Sequence, residues 1–163
     1  MTDDALTLPG FESFAGVELV QKLPLFRTLT FDEVRTLFAI ARQEDRAPGD
    51  VIIDEDALGD ALYIVREGTT RISRKGAVLG ERGVGEILGE MSLVDDVLTS
   101  ARVTALTQVS LLVLPRPAFD ALMAREHALA LKVYKAFCRT LSDRLRRANE
   151  RLSPDDVGDT GVC

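Results

Sequence analysis

Residues 48–73, PGDVIIDEDALGDALYIVREGTTRIS, decide the architecture. Pro48-Gly49-Asp50 signals a turn, and Val51-Ile52-Ile53 is a β-branched run that suits a strand. Leu58-Gly59-Asp60 reads as a second turn, residues 61–65 as a β-rich run, and Glu67-Gly68 as a third turn. Residues 69–73 then alternate like a strand with one face buried. Short strands at intervals of roughly ten residues, broken by glycine turns, indicate a sandwich or barrel-like roll and not βαβ units.

Outward from this stretch the texture changes. On the N-terminal side, residues 1–15 are polar and punctuated by Gly and Pro, which predicts a loose segment. A short helical segment over residues 17–26 runs into Leu23-Pro24-Leu25-Phe26, where the proline ends it. Thr30 followed by Asp32 and Glu33 is a helix N-cap with an acidic first turn. Val34, Leu37, Phe38 and Ala41 then fall at helical spacing.

On the C-terminal side, Lys75-Gly76, Gly80, Gly83 and Gly85 break up the chain, and residues 103–114 are again strand-like. After Pro115 the pattern turns helical: a short helix over 117–124, then one long helix over about 126–152. Along it Tyr134, Phe137, Leu141, Leu145, Ala148 and Leu152 recur at spacings of three and four, a seam like that of a coiled coil. Beyond Leu141 the neighbours are charged, as on an exposed helix, so the seam favours a homodimer through this helix. Residues 153–163 read as a frayed tail.

Composition narrows the function. The 163 residues are 46% hydrophobic and 28% charged, which fits one soluble globular domain at residues 16–152. A net charge of −6 argues against nucleic-acid binding, because phosphate backbones are held by basic surfaces. The arginines late in the long helix alternate with Asp143 and Glu150 and read as a solvated face. No apolar stretch of roughly 18 residues is present to span a membrane, and the acidic start resembles no secretory signal. Cys138 and Cys163 are too few for a disulfide framework or a zinc site, so a reducing, cytoplasmic setting is expected. His127 is the only histidine and reads as a surface residue at a helix start. No phosphate-binding glycine loop and no paired acid and base appear, so no enzyme and no required cofactor are expected.

The chemistry sits in residues 88–105, LGEMSLVDDVLTSARVTA. Gly89-Glu90 leads into a short apolar helical turn, then an acidic loop and a small-residue strand. Backbone N–H groups around Met91, Ser92 and Leu93 suit an anion, and the Glu90 carboxylate suits ribose hydroxyls.

Together these stretches resemble the cyclic nucleotide-binding domain of the catabolite-activator and protein-kinase-regulatory-subunit type, over about residues 17–152. The resemblance rests on Leu23-Pro24-Leu25-Phe26 with Leu29-Thr30, and on Pro48-Gly49-Asp50-Val51-Ile52. It rests further on residues 59–68, on Gly85-Glu86-Ile87-Leu88-Gly89-Glu90-Met91, and on the long C-terminal helix. It implies an α+β fold: an eight-stranded antiparallel, jelly-roll-like β-roll flanked by N-terminal helices and a long C-terminal helix. It also implies a cyclic AMP or cyclic GMP ligand, with Glu90 accepting from the ribose 2′-hydroxyl.

One family feature is absent. The arginine that pairs with the cyclic phosphate falls on Thr99, and the usual preceding proline on Leu98. Thr99 and Ser100 offer hydroxyls but no charge, which should weaken a phosphate by about tenfold or more. Arg102 is the nearest substitute, although an odd offset along a strand puts it on the face opposite Thr99. Asp95 and Asp96 add negative charge to the same loop. Arg144, on the long helix, stands where the family's helix reaches the base. The implied ligand-binding set is therefore Gly89, Glu90, Met91, Ser92, Thr99, Ser100, Arg102 and Arg144. Two functions stay open: a nucleotide sensor that signals through its C-terminal helix, and an interaction module that has lost its ligand and presents its surface to a protein partner.

Overall fold

The structure is a computed structural model and describes residues 23–151. Its strands are β1 (Arg42–Arg46), β2 (Val51–Ile53), β3 (Ala61–Glu67), β4 (Thr70–Arg74), β5 (Ala77–Arg82), β6 (Ile87–Leu88), β7 (Arg102–Ala105) and β8 (Val109–Pro115). Helices α1 (Phe31–Phe38), α2 (Glu90–Asp95), α3 (Arg116–Arg125) and α4 (His127–Arg151) complete the described chain. All strand pairs are antiparallel, in two four-stranded sheets ordered β1-β8-β3-β6 and β2-β7-β4-β5. This is the α+β roll that the sequence implied, with its long C-terminal helix.

Strand alternation builds two cores from one sheet. Ala61, Tyr63 and Val65 of β3, with Val109, Leu111 and Val113 of β8, face into the roll and meet Ile52, Leu88 and Val103. Leu62, Ile64, Leu112 and Leu114 face the other way, under the helices, against Phe119, Leu122, Val133 and Phe137. Burial on both faces is why β3 and β8 read as continuous apolar runs. The helices are locked by aromatic contact: Phe119 stacks on Phe137 at 6.2 Å, and Tyr134 meets both edge-on at 6.4 and 6.0 Å.

Local signals explain the ends of elements. Thr30 caps α1: its hydroxyl accepts from the Glu33 N–H at 3.2 Å, while the Glu33 carboxylate accepts from the Thr30 N–H at 2.7 Å. This is the reciprocal capping box. The helix stops at Phe38, so Ala41 packs on the core from the connection to β1 and not from the helix. Residues 23–28 form turns, with Phe26 N–H donating to Leu23 O at 2.9 Å.

Several expectations are corrected. Residues 103–114 are not one strand; the turn after Ala105 carries the chain from the β2-β7 sheet to the β1-β8 sheet. The turn expected at Leu58-Gly59-Asp60 lies earlier, at residues 55–57, where Asp56 takes φ +55°. Strand β1, Arg-Gln-Glu-Asp-Arg, has no apolar alternation and is a strand because it pairs with β8 from Arg42↔Val113 to Arg46↔Val109.

The helix seam divides: Phe137 is buried and Tyr134 half-buried on the chain's own core, Leu141 is half-buried beside a cavity, and Leu145 and Ala148 are exposed. His127 is exposed at the first position of α4. The expectations for residues 1–15, for 17–22, for Leu152 and for the tail at 153–163 lie outside the described residues. Among the described residues no helix is long and apolar enough to cross a membrane, and no group of ligating side chains could hold a metal ion.

Candidate functional site

The site begins where β6 hands over to α2. Gly89 takes φ +82°, and a Cβ there would stand 2.7 Å from the Ala61 carbonyl oxygen, so glycine alone fits. The turn brings Glu90 and Ser92 inward. A Cβ on Gly59 would meet the Ser92 hydroxyl at 2.0 Å, so the loop before β3 lies directly on α2. The Ser92 hydroxyl donates to Gly89 O at 3.0 Å, closing the turn from within. Arg116, at the start of α3, donates to Ser92 O at 3.1 Å and pairs with Asp96 and, at 3.5 Å, with Asp120. Helix α2 is therefore fastened at its base to β3 and at its far end to α3.

A cavity of about 260 Å³ opens beside α2. Ile53, Ile72, Leu88 and Val103 make its apolar wall, while Leu141 and Arg144 of α4 form the side opposite. The Glu90 residue is 2% exposed, and the Arg144 guanidinium donates to its carboxylate and to Ile87 O at 2.7 Å. Arg144 thus links α4 to the strand and the helix that carry the site. Buried charges persist when paired and hydrogen-bonded, as here.

Gly89, Glu90, Met91, Ser92, Thr99, Ser100 and Arg144 all line this one cavity. Thr99 has its polar atoms engaged elsewhere. Its hydroxyl accepts from the Ala57 N–H at 3.0 Å and donates to Asp54 O, and its backbone bonds both ways with residues 56 and 57 at 2.9 and 2.8 Å. Thr99 is the staple of the 54–57 loop. Ser100 contacts the Met91 sulfur at 3.8 Å at the rim.

Arg102 is a correction. It points away from the cavity and pairs with Asp54 at 2.7 Å, as the odd offset from Thr99 requires. That guanidinium, by its hydrogen bond first, holds the Asp54 carboxyl below the usual carboxylate range. Asp95 and Asp96 do not line the cavity either; Asp96 is held by Arg116 and Asp95 accepts from Val97 N–H at 3.4 Å.

Sequence reasoning missed Arg82, at the end of β5, which also lines the cavity. Burial first, and then the neighbouring Arg144 charge, push its guanidinium below the ordinary arginine value. No periodicity marks it, because β5 is short, mostly exposed and interrupted by Gly80. On the other side of α2, the Tyr63 phenol is raised well above its usual range by burial and by its 2.9 Å hydrogen bond to Asp60.

With this geometry the chain's likenesses can be placed. The profile described as the cyclic nucleotide-binding domain matches residues 43–126. The cGMP-dependent protein kinase egl-4 of Caenorhabditis elegans is 32% identical over 108 residues, covering 66% of this chain and 14% of the kinase. The crystal structure of the Thermus thermophilus catabolite activator protein is similar at 33% identity and a TM-score of 0.67, over 79% of this chain and 61% of that one. A cyclic nucleotide-binding domain from Methylobacillus flagellatus superposes at a TM-score of 0.75 and 29% identity, over 89% of this chain and 84% of its own. The chain thus spans a minor part of the kinase and about three fifths of the activator.

Proposed function

The chain belongs to the cyclic nucleotide-binding domain family, and on that premise we propose that it is a regulatory, non-enzymatic domain that takes a cyclic nucleotide or a related nucleotide into the cavity and signals through α4. The observation that carries this is the pair of Glu90 with Arg144. The carboxylate at the base of the cavity suits ribose hydroxyls, which can only donate to it. Its present partner comes from α4, so a ribose competes with Arg144 for the same oxygens. A ligand that prefers one arrangement of the pair shifts α4 toward that arrangement, which is the condition for coupling. Gly89, Met91, Ser92 and Ser100 shape the cavity around the sugar, and cyclic AMP or cyclic GMP is the guest.

The output is a homodimer formed along α4. Leu131 and Leu145 are 71% and 62% exposed, two heptads apart, with exposed Cys138 midway, which is the stripe a partner helix would cover. The competing reading is an interaction module that binds a protein and no nucleotide. Thr99 favours it, because its hydroxyl is already spent and supplies no cation where the family's phosphate lies.

Isothermal titration separates the two. Native protein gives saturable heat with cyclic AMP or cyclic GMP, and Glu90→Gln weakens that affinity by about tenfold or more, the loss of a charge-assisted hydrogen bond. Adenosine and guanosine, run alongside, measure what the phosphate adds. No heat from either cyclic nucleotide at millimolar concentration leaves the interaction module.

A further inference from the structure

A second basin, of about 220 Å³, lies between β5 and the last turns of α4 and shares Leu79, Arg82 and Arg144 with the main cavity. We propose that this basin is a phosphate-binding subsite, formed by Arg82, Arg144 and Arg147.

Charge is the first argument. The chain carries 20 Lys and Arg against 26 Asp and Glu, yet Arg82, Arg144, Arg147 and Arg151 converge on this one basin. Residues 144, 147 and 151 share a face of α4 by helical spacing, and Arg82 meets them from the sheet. The carboxylates nearby are largely committed. Glu86 pairs with Arg82 at 3.4 Å, Glu81 with Arg71 at 3.8 Å, and Glu90 with Arg144. Arg147 and Arg151 have no ion-pair partner among the described residues.

Residue type is the second argument. Arginine presents a planar fork of donors that matches phosphate oxygens two at a time, which lysine does not. Arg82 has given one N–H to Glu81 O at 2.8 Å and pairs with Glu86, and it lines the basin together with Arg144 and Arg147, whose charges it feels. Like charges placed together in a half-buried basin repel, and an anion between them removes that repulsion. The cation missing at Thr99 is therefore supplied at the opposite end of the pocket, against α4. The phosphate belongs either to a nucleotide seated in the main cavity or to a free anion, and the chemistry of recognition is the same.

The inference extends the cavity reading and shares its wall, without resting on which nucleotide the cavity holds. The test uses the isotope-labelled full chain, with the side-chain Nε–H signals of its arginines as readout. Inorganic pyrophosphate at low salt should shift Arg82 and Arg147 saturably and leave Arg102 and Arg125 unmoved. Arg147→Gln, an exposed position whose replacement leaves the fold intact, should weaken that affinity about tenfold. Adenosine 5′-monophosphate binding more tightly than pyrophosphate assigns the phosphate to a cavity-bound nucleotide, and equal affinities assign it to a free anion; both support the subsite. Unsaturable drift of all arginine signals alike, or an unchanged affinity in Arg147→Gln, overturns it. A chain that takes pyrophosphate here and no cyclic nucleotide keeps this subsite and loses the reading above. One that binds cyclic nucleotide while pyrophosphate leaves Arg82 and Arg147 still does the reverse.

Discussion

Phe137→Ala lowers the stability of the domain by about 3–5 kcal/mol, the usual cost of deleting a fully buried phenyl ring. For a domain of this size the midpoint of thermal unfolding falls by roughly 10 °C or more. The ring has no exposed surface and lies between Phe119 and Tyr134, where α3 and α4 meet the sheet. Removing it leaves a cavity that Phe119 cannot fill, because Phe119 is itself held against Leu62, Leu114 and Leu122. Differential scanning calorimetry measures the shift. The same substitution loosens α4 from the roll, so it should also raise hydrogen exchange along that helix. A loss below about 1 kcal/mol would mean that α4 is not anchored by this aromatic trio.

Arg144→Ala is the second large effect, for an electrostatic reason. It leaves the Glu90 carboxylate, 2% exposed, without its cation, which costs about 3 kcal/mol. Glu90→Gln alone should cost less, near 1 kcal/mol, because the Arg144 side chain is 25% exposed and can turn to water. The double variant should lose only about 2 kcal/mol, less than Arg144→Ala alone, since a neutral amide tolerates the pocket better than an unpaired charge. Urea denaturation of the four proteins closes the cycle, with an expected coupling of about 2 kcal/mol. Additive single losses would show that the pair does not tie α4 to the cavity.

The roll was legible where chemistry is local. Proline and glycine marked turns at residues 48–50 and 67–68, Thr30 and Glu33 marked the start of α1, and the apolar runs of β3 and β8 marked the center. What stayed hidden depends on contacts between distant segments. Strand β1 is charged and exposed and owes its conformation to β8 alone. The division of residues 102–115 between two sheets follows from which face each half buries, and a continuous apolar run does not show that.

The site divides in the same way. The Gly89-Glu90 turn could be read because its backbone demand is local. Alternation pointed Arg102 outward, yet the resemblance still drew it into the ligand-binding set, from which its pairing with Asp54 removes it. The Thr99 hydroxyl staples a loop 42 residues away in the chain, a contact that no local pattern announces. Arg82 and Arg144 come together only because α4 folds back along β5, and no spacing in the sequence encodes that approach.

Hydrogen exchange of α4, followed with and without saturating cyclic AMP or cyclic GMP, tests the account most directly. If a nucleotide displaces Arg144 from Glu90, protection changes from Leu141 onward while β3 and β8 keep theirs. A bound cyclic nucleotide that leaves exchange along α4 unaltered contradicts the account, because the cavity would then hold a ligand without reporting it.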